Sequence, residues 1–172
     1  MIACVDVQYD DLHHSAKAAL VQAARWTDSA PVWQSVEEVQ EVAPYEPGRF
    51  FLRELPCLLK VLATSSNLPE VIVVDGYVWL DRDQRPGLGA KLFESLGEVC
   101  PVIGVAKSRF HDAPGTDVFR GNSHQPLIVS SVGIDEAMAA ECVKSMHGPF
   151  RVPTLLRIVD QLARGIAGAG KA

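Results

Sequence analysis

The chain has 172 residues, 48% of them hydrophobic and 22% charged, which supplies apolar material for one sizeable core and leaves no polar tract long enough for extensive disorder. Its net charge of −5 weighs against a uniformly basic nucleic-acid binder, yet the charge is uneven: residues 1–100 hold 8 basic and 15 acidic side chains (net −7), residues 101–172 hold 8 and 6 (net +2). No apolar run approaches the roughly 18–20 residues that span a bilayer, and the start lacks the basic and apolar regions of a signal peptide, so a cytoplasmic protein without membrane contact is expected.

Ile2 to Val7 is a β-branched run that reads as a strand ending at Asp6 or just after. Residues 16–26 suit either strand or helix, because their alanines favour the helix. Val32 to Val42 alternates in part and reads as a third strand of an antiparallel meander, with Asp10-Asp11 and Thr27-Asp28-Ser29 as turn material. From Phe50 to Leu62 the apolar residues take helical spacing, with Pro56 expected to kink or restart the helix. Val71–Val74 is a continuous apolar run of the kind found in strands buried on both faces, and it stops at Asp75-Gly76. A helix is expected over 88–99, a buried strand over Val102–Ala106, and a loop or short hairpin over 111–125. A short strand at Leu127–Ser130 and helices over 135–147 and 154–167 complete the reading. The expectation is an α/β fold, a mixed sheet with helices on both faces, forming one domain over 1–167 with a flexible tail at 168–172. Four scattered cysteines (Cys4, Cys57, Cys100, Cys142) form neither a zinc nor a disulfide pattern and read as small buried hydrophobes.

In such a sheet, functional groups gather at the carboxyl ends of strands. Asp6 and Asp75 both follow apolar runs, and Glu54 near the start of the first helix could join them. Clustered carboxylates repel one another unless a cation neutralises them, and hard oxygen donors suit Mg²⁺ or Mn²⁺, ions that activate water and stabilise charge on a phosphodiester. The plainer alternatives are that the two aspartates are turn or cap residues and that Arg53-Glu54 is an exposed pair. Lys107-Ser108, after the strand 102–106, reads either as a phosphate-holding pair or as a solvated strand end. Upstream, Pro44-Tyr45-Glu46-Pro47-Gly48 is a stiffened loop that presents an aromatic ring nine residues before Glu54.

With these blocks in order, the chain resembles the endonuclease V (deoxyinosine 3′ endonuclease) family. The matching stretches are Cys4-Val5-Asp6-Val7-Gln8-Tyr9, Pro44 through Gly48 and on to Leu52-Arg53-Glu54-Leu55-Pro56, and Val73-Val74-Asp75-Gly76. Gly104-Val105-Ala106-Lys107-Ser108, Pro126 to Ser130, and Arg151 to Arg157 follow. The resemblance implies an RNase H-like fold and Mg²⁺-dependent cutting of the second phosphodiester 3′ to inosine, leaving 3′-hydroxyl and 5′-phosphate ends. Asp6, Glu54 and Asp75 would then hold metal, and Lys107 would sit near the attacked phosphate. Tyr45, set between Pro44 and Gly48, would wedge into the gap left by the displaced base, while Gly76 and Ser108 would line the nucleic acid. A monomer is the expected state.

The chain departs from the family at two places. Where the family reads Asp-Gly-His-Gly-x-x-His-Pro-Arg, residues 75–83 read Asp-Gly-Tyr-Val-Trp-Leu-Asp-Arg-Asp, so that Asp81 matches the second histidine if no gap intervenes and Arg82 competes for that place; Asp81 reads as a further carboxylate ligand or an exposed loop residue. The family's Gly-His after the late strand is also missing, and the remaining histidines (His13, His14, His111, His124, His147) read as surface or loop residues. A catalytically altered relative that binds nucleic acid or another phosphorylated ligand without cutting at inosine is the alternative.

Overall fold

A computed structural model of the chain describes residues 1–40, 42 and 50–166, with Phe50 described by its backbone alone. Strands β1 (Ile2–Asp10), β2 (Ser15–Ala23) and β3 (Trp33–Gln40) form the antiparallel meander. The alanine-rich second segment is a strand throughout. Flanked by β1 and β3, it gains two ladders, and its small residues pack on both faces of the sheet, which outweighs the weak helix preference of alanine. β1 runs further than expected, to Asp10, because it stays paired with β2 up to Asp10↔Ser15.

β1 also pairs in parallel with β4 (Val71–Asp75), which pairs in parallel with β5 (Val102–Ala106). β7 (Leu127–Val132) and the short β6 (Thr116–Val118) return antiparallel, giving one seven-stranded sheet in the order β3-β2-β1-β4-β5-β7-β6. Helices α1 (Phe50–Leu62) and α2 (Leu88–Ser95) cover one face over a core that includes Val5, Leu58, Ile72 and Leu92. Helices α3 (Glu136–Ser145) and α4 (Thr154–Ala163) cover the other over Cys4, Val73, Ile103 and Leu155. Alternate residues of β1 and β4 thus feed opposite cores, which is why both strands carry continuous apolar runs, Ile2–Val5 and Val71–Val74.

α1 passes through Pro56 without interruption; Pro56 lies on the solvent side, where the carbonyl that loses its partner faces water. α2 ends earlier than expected because Gly97 turns left-handed at φ 70° and Glu98 N donates back to Phe93 O at 3.0 Å. α3 starts on Asp135, whose carboxylate accepts from Met138 N at 3.0 Å. All four cysteines are free; Cys4, Cys57 and Cys100 are buried and Cys142 is half-buried. No helix among the described residues is long and apolar enough to cross a membrane.

Candidate active site

The parallel ladder between β1 and β4 ends at Val5↔Val74, so the next residue on each strand, Asp6 and Asp75, emerges at the same edge of the sheet. Asp6 is therefore within its strand rather than at its end; the end that matters is that of the ladder. Asp75 pairs with Val105, which brings Lys107 alongside, and the Lys107 Nζ donates to Asp75 Oδ2 at 2.5 Å. Glu54 reaches the same place from the buried side of α1 and is only 4% exposed.

The electrostatics show how closely these groups share their surroundings. Burial, and then the charge of Asp75, raise the Asp6 carboxyl to about 6 from an ordinary 3.8. Burial, and then Asp6 and Asp75, push Glu54 well above the usual carboxylate range. Burial alone would pull the Lys107 ammonium down, but its hydrogen bond to Asp75 and the nearby carboxylates turn the net shift upward. Asp160 on α4 is a fourth carboxylate here, raising both Asp6 and Lys107 by its charge.

Glu54 is held from its own helix. The neighbouring Arg53 guanidinium lies 3.9 Å from the centroid of the Tyr9 ring and donates to Asp11 at the tip of the β1–β2 hairpin. Glu54 Oε2, in contrast, is buried without a hydrogen-bond partner among the described residues. Among those residues, no group of three or more His, Cys, Asp or Glu side chains forms a ready-made cage for a metal. The donor set nevertheless fits a hard divalent cation. Several carboxylates share one basin, burial and then their neighbours' charge favour the protonated forms of Asp6 and Glu54, and one buried oxygen has no partner among the described residues.

Two cavities meet at the Asp75–Lys107 pair. One, about 410 Å³, lies over the loop after β4 and is lined by Gly76, Tyr77, Leu80, Ser108 and Phe110. Gly76 turns there at φ 140°, and Ser108 is exposed on the loop after β5. The Tyr77 hydroxyl donates to Ser108 O at 2.7 Å and accepts from Phe110 N at 3.1 Å, pinning that rim. The other cavity, about 640 Å³, runs from Asp6 and Asp75 under α4, past Asp160, Arg157 and Phe150.

Pro44, Tyr45 and Gly48 lie outside the described residues. Asp81 is engaged locally: its carboxylate accepts from Asp83 N at 3.1 Å and Arg85 N at 3.0 Å and pairs with Arg85 Nε at 3.2 Å, closing the turn 81–85. The five histidines are all exposed. Asp160, Arg157, Tyr77 and Phe150 escaped the sequence reading. Asp160 sits at mid-helix, where an acidic residue looks like part of an ordinary solvated face; the one signal was its nearness to the matching block that ends at Arg157.

The endonuclease V family model matches residues 1–134. Among curated relatives, endonuclease V of Thermococcus kodakarensis is 34% identical over 95% of this chain and 78% of its own length. That of Xanthomonas oryzae pv. oryzae is 32% identical over 95% and 76%. Among solved structures, endonuclease V of Streptomyces avermitilis superposes with a TM-score of 0.81 at 28% identity, covering 99% of this chain and 82% of that one. Endonuclease V of Ciona intestinalis, in complex with a 24mer DNA containing an inosine followed by a ribo-adenosine, superposes with a TM-score of 0.79 at 21% identity, over 95% and 84%.

Proposed function

The chain belongs to the endonuclease V family, with its RNase H-like fold and its action on phosphodiester bonds, and from that premise we propose that it is a Mg²⁺-dependent nuclease cutting on the 3′ side of inosine in DNA or RNA. Mn²⁺ would serve in place of Mg²⁺, and the products would carry a 3′-hydroxyl and a 5′-phosphate. The observation that carries this reading is that Asp75, Asp6 and Asp160 act on the Lys107 ammonium where two cavities meet, while buried Glu54 is coupled to the same Asp6 and Asp75. The inosine-containing DNA held by the Ciona protein supports the choice of substrate.

Asp6, Glu54 and Asp75 would hold the cation, with Asp160 as a further carboxylate beside them. A divalent ion there supplies positive charge at the phosphate and makes an attacking water more acidic. The remaining work falls to the chain itself. Lys107 swings its ammonium between Asp75 and a phosphate oxygen, so the scissile phosphate has a donor whose charge is secured by the surrounding carboxylates. Buried Glu54, fixed through α1 and the Arg53–Tyr9 contact, keeps one acceptor at a constant position as the substrate enters. The 410 Å³ cavity, with Tyr77 and Phe110 at its rim and Gly76 and Ser108 in its wall, would take the displaced base. Tyr45, between Pro44 and Gly48 in the sequence, would fill the gap the base leaves.

The test is a nicking assay with purified protein and Mg²⁺ or Mn²⁺ on single-inosine duplexes and single strands, DNA and RNA. One cut 3′ to the inosine in at least one substrate is expected, and Asp75→Ala should abolish it. Absence of cutting in every substrate would overturn inosine-directed cleavage and favour a relative that binds without cutting.

A further inference from the structure

We infer that the 640 Å³ cavity under α4 is the subsite for the nucleotide just beyond the cut phosphate, with Phe150 as the stacking surface for its base and Arg157 as the cation beside its phosphate. The polarity rests on the proposed cutting reaction; the presence of a nucleotide site does not. The two cavities share the Asp75–Lys107 pair, and beyond it one is lined by the loops after β4 and β5 and the other by α4 and the segment before it. A phosphodiester attacked at that pair has one strand direction leading towards the 410 Å³ cavity, and the other leading under α4. If the recognised base occupies the first, the 3′ nucleotide, which carries the 5′-phosphate after cutting, occupies the second.

The larger cavity has the chemistry for that occupant. Its lining joins apolar side chains such as Val105, Val152 and Leu156 to charged ones, and it includes an aromatic ring and a guanidinium together, Phe150 and Arg157. Phe150 is 58% exposed, and the Arg157 guanidinium carbon lies 5.0 Å from its ring centroid. An aromatic ring beside an arginine is the usual platform for an unpaired base and its phosphate.

The platform is also held in place. Arg120, 6% exposed, donates to the carbonyl oxygens of Phe150 at 2.9 Å and of Lys144, Gly148 and Arg151 at 3.3 Å each, and also to that of Met146. The next residue, Arg151, donates to Pro126 O at 2.7 Å and to the carbonyl oxygen of Lys107. Arg120 therefore gathers the segment bearing Phe150 onto itself, and Arg151 ties that segment to the strand end bearing Lys107. Fixing an exposed phenylalanine relative to a catalytic lysine is what a stacking subsite requires.

The experiment uses the full chain with Mg²⁺ and two probes, a 5′-phosphorylated dinucleotide and its 5′-hydroxyl counterpart, as competitors of a single-inosine oligonucleotide. The phosphorylated probe should compete roughly tenfold better. Phe150→Ala should weaken it and raise KM for the oligonucleotide by roughly tenfold, the size of one lost base–aromatic stack, with kcat kept and Phe150→Trp restoring affinity. Arg157→Gln should erase the preference for the 5′-phosphate. If the wild type cuts at inosine while both variants leave KM and competition unchanged, the subsite is overturned and the cutting reaction stands. If nothing is cut but the phosphorylated probe binds and Phe150→Ala weakens it, the reaction falls and the subsite stands. Binding that ignores the 5′-phosphate, or no binding, overturns the subsite.

Discussion

Glu54 combines deep burial, two carboxylate neighbours and an unpartnered oxygen, so the fold works against its charged form. Such a group stabilises the reaction at the expense of the protein. Glu54→Gln should therefore abolish cutting while raising the metal-free Tm at about pH 7.5; a lower Tm would mean that the carboxylate is structurally needed. Asp6 makes the same point through pH. Its folded pKa of about 6 lies above the ordinary 3.8, so the folded state holds the proton more tightly across that window. The stabilising contribution is present below the lower value and is lost as pH rises through about 6. Metal-free thermal scans should show this loss between about pH 4 and 6, and Asp6→Asn should flatten it.

The elements matter because they fix distances that individual residues cannot. β5 passes so close to the turn after β4 that a Cβ on Gly104 would meet Gly76 O at 2.6 Å and Ser130 Oγ at 2.9 Å. Ser130 is itself fully buried, and its hydroxyl accepts from Val78 N at 3.0 Å. Gly104→Ala should thus destabilise by about 1–3 kcal/mol through overpacking and lower kcat by separating Asp75 from Lys107; denaturant midpoints and single-turnover rates check the two effects. On the other side of the sheet, Arg120→Met would leave the carbonyls of 144–151 without their donor. A loss of about 2–4 kcal/mol is expected for several buried acceptors left unpaired, read as a lower urea midpoint with the slope unchanged.

For the whole molecule, a cluster of like charges at one edge of the sheet makes folding and cation binding cooperative. If a divalent ion binds the folded chain alone, Mg²⁺ at about 100 times its Kd should stabilise by roughly 2.7 kcal/mol. Thermal scans with Mg²⁺ and with a chelator should differ accordingly, and Asp75→Ala should remove the difference. Equal Tm values with and without the ion would count against the carboxylate basin as its site.

Much of the fold was legible because it is written locally: apolar runs made β1, β4 and β5 visible as strands, and the 3.6-residue spacing over 50–62 marked α1 with its bounds. Asp6, Asp75 and Lys107 could be singled out because each directly follows such a run. The strand identity of residues 15–23 was not legible, since alanines suit both states and only the neighbouring strands β1 and β3 decide between them. Nor were Asp160 and Phe150, because their neighbours at the site lie far away in sequence and are brought close by the docking of α4 and the Arg120 clamp. The sequence by itself determined which carboxylates follow the buried apolar runs and which family the chain resembles, since both depend on short-range pattern. The tertiary structure decided which charges share one basin, that Asp81 is tied up in its own turn, and that two cavities meet at Asp75 and Lys107. Those facts depend on distances between segments that only long-range packing sets.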